Sequence, residues 1–317
     1  MSQPEIVPLD CDVAEVWRLR EIRAENDANF QNGYKLPQFS LDPAEVYEFL
    51  AETEREIIPS GDYDNGSAQS PDDILAIEGA NGVLLTAEHA TSHFRVKDSG
   101  QFDRKLHEGG TAALGKTVAQ GTNSSGLVPK GRQTGDANRD LAHPLRERMT
   151  EIIALPVSRA HLSIHGMVRA HASRIRDTHG FSVMLGIGYQ PTEATMTLKD
   201  AMREAGQDLG LRIGVNKPHM RFDIRNKKPI MADEFNIATA VYSAPKRATR
   251  GWAESEAERL GKDNSFAAIQ VEMSDVLRVH PWEEELFRFP TRRDREIGAY
   301  LGYHFVLAAA RSAELIS

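Results

Sequence analysis

Short apolar runs of strand length recur at residues 83–87, 160–164, 181–187, 212–215 and 267–271. Between and around them, apolar positions recur with helical spacing and predict helices at 12–29, 42–58, 110–119, 192–209 and 294–313. The second of these opens on Ser40-Leu41-Asp42-Pro43, an N-cap followed by proline in the first turn. Both early helices precede residues 83–87, which read as the first strand. Residues 59–73 and 120–136 are rich in Gly, Ser, Asn and Asp, and read as a connection and a long surface loop. Strands separated by helical segments predict an α/β chain: a three-layer, mixed or mostly parallel sheet with helices on both faces. Residues 1–73 form a helical N-terminal extension and linker in this reading, and 74–317 a catalytic α/β domain.

A chain of 317 residues can bury a large core, and its net charge of −8 argues against a general nucleic-acid surface. No apolar run approaches a membrane span, and the early Glu5, Asp10 and Asp12 do not fit a signal peptide, so a cytoplasmic location is expected. The single cysteine, Cys11, excludes an intramolecular disulfide and a Cys-rich zinc site. Any metal would therefore be held by His, Asp and Glu, and eleven histidines are available.

Four segments carry the candidate chemistry: Glu88-His89, His107-Glu108-Gly109-Gly110-Thr111, Ser163-Ile164-His165-Gly166 and Gln270-Val271-Glu272. Ligands gather at the carboxyl ends of parallel strands, and three of these segments stand at the ends of apolar runs. Two histidines with one carboxylate form the usual ligand set of a hydrolytic zinc site, which keeps a further position open. His89 and His165 would supply the nitrogens, and Glu272 would stay free as general base and acid. The remaining ligand is open among Glu108, Glu88 and His93; Glu88 could equally orient an imidazole from behind, and Glu108 could serve only the helix dipole. His143, His280 and His304 read as ordinary histidines. In Asp136-Ala137-Asn138-Arg139 an arginine fork could clamp a substrate carboxylate beside Asn138, or pair internally with Asp136. A loop at 216–221, beginning with Asn216, could line the same cleft. The basic string Arg169, His171, Arg174, Arg176 and His179 reads as a solvated face.

In order, these segments resemble the N-formylglutamate amidohydrolase family, a relative of the zinc carboxypeptidases. The family's Asp-His-Ala-Ser reads here as Glu88-His89-Ala90-Thr91. Its acidic residue before a helix-opening Gly-Thr reads as Glu108-Gly109-Gly110-Thr111, and its Asp-x-Asn-Arg as Asp136-Ala137-Asn138-Arg139. The central histidine falls on His165, the Val-x-Asn-x-Pro loop on Val215-Asn216-Lys217-Pro218, and the late glutamate on Glu272. Where the family commonly has Asp-x-His-Ser, this chain has Ser163 and Gly166 around His165. The resemblance covers residues 82–317.

The resemblance implies a zinc hydrolase with His89, Glu108 and His165 as metal ligands and Glu272 as catalytic acid/base. Arg139, Asn138 and Asn216 would bind a small carboxylate-bearing N-acyl substrate whose C–N amide bond is cleaved. A peptidoglycan amidase or carboxypeptidase-like metal hydrolase, and a non-catalytic carboxylate-binding protein on the same fold, are the rival readings. Neither nucleic acid nor membrane is an expected partner.

Overall fold

The computed structural model of the chain describes residues 7–8, 37–38, 42–59, 71–96, 102–105, 107–138, 140, 142–166, 182–187, 191–215, 249–262, 264–281 and 292–316. The expected helix at 12–29, Arg139, the loop at 216–221 with Asn216, and the basic string at 169–179 lie outside the described residues.

A seven-stranded sheet is built from β1 (Ile74–Ile77), β2 (Val83–Thr86), β5 (Ser125–Pro129), β6 (Ala160–Gly166), β7 (Ser182–Gly186), β8 (Arg212–Val215) and β9 (Ala267–Met273), in the order β8-β7-β9-β6-β2-β5-β1. A separate hairpin pairs β3 (His93–Val96) with β4 (Phe102–Lys105). The central strands β9, β6, β2 and β5 are mutually parallel, and β7 and β8 are parallel to each other but antiparallel to β9. The edge strand β1 pairs antiparallel with β5, so the sheet is mixed and mostly parallel, as the pattern predicts. The α/β class follows directly.

Alternation along the strands feeds two cores on opposite faces. Val83 and Leu85 of β2, Leu162 and Ile164 of β6, and Ala267, Ile269 and Val271 of β9 pack with α1 (Pro43–Ile57), α2 (Thr111–Thr122), α4 (Glu193–Asp208) and α6 (Arg292–Glu314). Leu84 and Ala268 face the other way, against α3 (Pro144–Ile153) and α5 (Thr249–Arg259). Through Val46, Tyr47, Leu50 and Ala51, α1 packs into the main core. Among the described residues no helix is long and apolar enough to cross a membrane.

Two expectations need correction. Residues 120–136 are not one surface loop: they contain β5, whose five residues are all buried. Its Gly126 reads as a loop signal but is a packing requirement, because a Cβ there would lie 2.9 Å from Ala119 of α2. Nor are residues 83–87 the first strand of the sheet, since β1 precedes them and closes the edge beside β5. Two helices also escape the pattern. α3 carries apolar Leu145, Met149 and Ile153 behind a His143 N-cap whose Nδ1 accepts from the Leu145 amide, an unusual start signal. Among the described side chains of α5, small Ala253 and Ala257 turn fully inward, so its amphipathic signal is faint.

Candidate metal centre

The sheet changes character near the carboxyl ends of its parallel strands. On the face opposite Leu162 and Ile164, β6 presents His161, Ser163 and His165, all buried. Register places Ser163 beside Thr86 on one side and Gln270 on the other, and His165 beside Glu272. β6 runs to Gly166 and β9 to Met273, so His165 and Glu272 are strand residues rather than loop residues just past a run. His89 does lie past its strand, in the turn after β2. Glu108 stands before α2 and is tied to that turn by its amide, which donates to the His89 carbonyl.

These segments converge on one carboxylate. Glu108 Oε1 lies 3.1 Å from His89 Nδ1, and Glu108 Oε2 lies 3.1 Å from His165 Nδ1. The Gly166 amide donates to Oε2 at 2.9 Å. The two imidazoles meet edge-on, with centroids 4.8 Å apart and planes at 78°. Among the described residues two groups could hold a metal ion, with ligand atoms within 4.8 Å of one another: His89, Glu108 and His165, and His89, His93 and Asp136.

The far nitrogens of both rings are also engaged. Ser163 donates its hydroxyl proton to Glu88 Oε1 at 2.7 Å, so at 2.9 Å from His165 Nε2 it can only accept an N–H from the ring. In a neutral imidazole this leaves Nδ1 unprotonated and aimed at Glu108. Thr86 also donates to Glu88 Oε1 at 2.7 Å, while Glu88 Oε2 accepts no hydrogen bond from the described residues and lies 3.4 Å from His165 Nε2. Glu88 therefore sits behind His165, the orienting position, and not at its Nδ1. On the other ring, His89 Nε2 faces Asp136 Oδ1 at 3.2 Å and Asn138 Nδ2 at 3.3 Å. His93 stacks on His89 at 4.2 Å, and its Nε2 lies 3.6 Å from Asp136 Oδ2. In stacked rings the lone pairs lie in separate, nearly parallel planes, so His89 and His93 converge poorly on one ion and instead share a carboxylate.

Burial and charge oppose each other throughout the cluster. Burial alone would lower the basicity of His165, but Glu108 and Glu88 push it up to about 9. His89 is likewise held well above 6.5, its burial outweighed by Glu108 and Asp136. Those imidazoles in turn hold the Glu108 and Asp136 carboxyls far below the carboxylate range, against the effect of burial. Glu272 is the exception: burial, aided by Glu108, raises its carboxyl despite His165. Gln270 donates to it at 2.6 Å.

The donor set fits a divalent cation. Two imidazole Nδ1 atoms face one carboxylate, no thiolate is involved, and each ring's far nitrogen meets a carboxylate directly or through a hydroxyl, the arrangement that fixes ligand histidines. Of the expected site residues, His89, Glu108, His165, Glu272 and Asn138 come together here. Asp136 acquires a part that pattern alone did not assign to it. His143, His280 and His304 stand outside the cluster: His143 caps α3, His280 Nε2 lies 3.0 Å from the Asp275 carbonyl, and His304 is buried in α6. Comparison with protein-family models, curated proteins and solved structures finds no match.

Proposed function

We propose that this chain is a zinc-dependent hydrolase of zinc-carboxypeptidase-like fold, cleaving a C–N amide bond in a small carboxylate-bearing N-acyl substrate such as an N-formylglutamate-like compound. The observation that carries this reading is the convergence of His89 Nδ1 and His165 Nδ1 on the two oxygens of Glu108, with the raised carboxyl of Glu272 next to His165 in the sheet. His89, Glu108 and His165 would hold the metal. When bound, zinc supplies a Lewis acid that polarises the scissile carbonyl and makes water acidic enough to lose a proton near pH 7.

The chain's own residues do the rest. Glu272 takes the proton of the attacking water and returns it to the leaving nitrogen, a task suited to a carboxyl whose basicity burial has raised toward the working pH. Ser163 and Glu88 keep the Nε2 proton of His165 in place, and Asp136 does the same for His89. Asn138 offers an amide beside His89, and in this proposal Arg139 takes the clamp on the substrate carboxylate and Asn216 a further substrate contact.

The test combines metal analysis with turnover of N-formyl-L-glutamate, other N-acyl amino acids, and peptidoglycan peptides. About one zinc per chain, hydrolysis of the N-acyl acids and loss of both in His165→Ala are expected. Full metal occupancy in both His89→Ala and His165→Ala after mild chelation would overturn the ligand set. Turnover of peptides alone would move the substrate to the peptidase class.

A further inference from the structure

The carboxylate that collects both imidazoles sits at the end of a loop, and what holds that loop lies outside the segments that carry the chemistry. Glu54 of α1 is buried and accepts from the amides of Gly110 at 2.9 Å and Ala113 at 2.8 Å, so one side chain caps two of the free N–H groups at the start of α2. Arg278, which follows β9 and is remote from this loop in sequence, donates through Nη1 to the carbonyl of Gly109. Its guanidinium also fills the space where a Cβ on Gly166 would stand, beside His165. Gly110 has φ +79°, and a Cβ there would collide with the Val279 carbonyl. The Gly109–Gly110 turn thus lies hard against the Arg278–Val279 backbone.

We propose that Glu54 and Arg278 are positioning residues that grip the Glu108-Gly109-Gly110 turn, so that α1 completes the metal centre by setting the place of the Glu108 carboxylate. This rests on reading Glu108 as a ligand. The charges around Arg278 favour a structural cation over a substrate-anion receptor, since Glu54, Glu108, Glu272 and Asp275 all act on it. The same contacts account for Gly166 where the resembling family has serine: any side chain there would displace the guanidinium.

The experiment measures zinc affinity of the full chain by chelator competition, together with Tm of the zinc-free protein, in Glu54→Gln, Arg278→Lys and Leu50→Ala. Glutamine keeps the volume of Glu54 but sets an NH2 group against one of the two amides. Groups that orient ligands from behind typically change metal affinity by about 10- to 100-fold, and a loss of that size is expected in Glu54→Gln and Arg278→Lys. Leu50→Ala, a core truncation in the same helix, should lower Tm but leave the zinc affinity of the folded protein at the wild-type level. Wild-type affinity in both grip variants, or an equal loss in Leu50→Ala, overturns the proposal while leaving the metal reading intact. Failure of the wild type to bind zinc overturns the metal reading, and the proposal with it. Amide exchange on the zinc-free wild type needs no variant to fold: Gly110 and Ala113 should exchange as slowly as the amides of β6, and fast exchange there would overturn the grip.

Discussion

Replacing Glu88 with glutamine probes the orientation of His165 without changing side-chain volume. At 3.4 Å from His165 Nε2, the Glu88 carboxylate attracts a charged imidazole by about 5 kcal/mol at an effective dielectric of 20. For a neutral ring that charge–charge attraction is absent, and Glu88 acts on His165 through the Ser163 hydroxyl that it holds. The amide of the Glu88→Gln variant would have to choose between two losses. With its oxygen kept toward Thr86 and Ser163, its NH2 confronts the N–H of His165; flipped, it faces both hydroxyls with a donor and dismantles the relay. Breaking a buried pair by removing one partner costs about 3–5 kcal/mol, which at about 2–4 °C per kcal/mol lowers Tm on the order of 10 °C. Zinc affinity should fall by about 10- to 100-fold. The assay is a double-mutant cycle with Ser163→Asp, which places a carboxylate two residues before His165. Alone, Ser163→Asp sets a second carboxylate against Glu88 and should destabilise; combined with Glu88→Gln it should recover zinc affinity. Equal, additive losses in both backgrounds would show that positions 88 and 163 do not exchange one orienting carboxylate, and the argument would fail.

Glu272→Gln is expected to keep zinc and to lose turnover by roughly 10²- to 10⁴-fold, since its amide oxygen can still accept from Gln270 but no longer takes a proton. A carboxyl raised by folding is destabilised when charged, so this variant should melt no lower than wild type at pH 8; a clear drop in Tm with turnover retained would mark Glu272 as a structural partner. His143 and His304 should govern acid stability. Burial lowers each to about 4, so each is stabilising as the neutral ring at pH values above 6.5, and that stability is lost as pH falls from 6.5 toward 4. Each shift corresponds to on the order of 3 kcal/mol. His304→Leu should flatten the fall in Tm of zinc-free protein between pH 7 and pH 5, and an unchanged slope would show that His304 does not carry this dependence.

The strands and most helices are legible because their periodicities are strong: β6, β8 and β9 begin where apolar runs begin, and α1 starts at its proline. β5 is hidden because it opens on Ser125 and on Gly126, which its neighbours require, and composition cannot tell a small residue required by a neighbour from one that frees the backbone. His89 and His165 stand out because an imidazole after apolar residues is hard to explain otherwise. Glu108 needed a resemblance, since nothing in local pattern distinguishes a carboxylate serving a helix dipole from one facing two imidazoles 19 and 57 residues away in sequence. Glu54 and Arg278 were illegible, because each looks like an ordinary charged residue until the fold brings both to one turn.

Charge balance limits what this centre can do. Glu88, Glu108, Asp136 and Glu272 share a largely buried volume with His89, His93 and His165, where an isolated charge is costly. His89 and His165 offset the carboxylates only while each carries a second proton, which is why both are held above the usual imidazole range. A divalent cation exchanged for those two protons leaves the total charge unchanged, so loading need not disturb the surrounding packing. The same balance supports the proposed roles of the acids. Glu108 and Asp136 are held ionised by the imidazoles they face, which suits a ligand and an orienting group, whereas Glu272 has its charge opposed by burial and by Glu108. Of these carboxyls it is the one whose environment favours accepting a proton, and a reaction that moves a proton from water to nitrogen needs that property in a single residue.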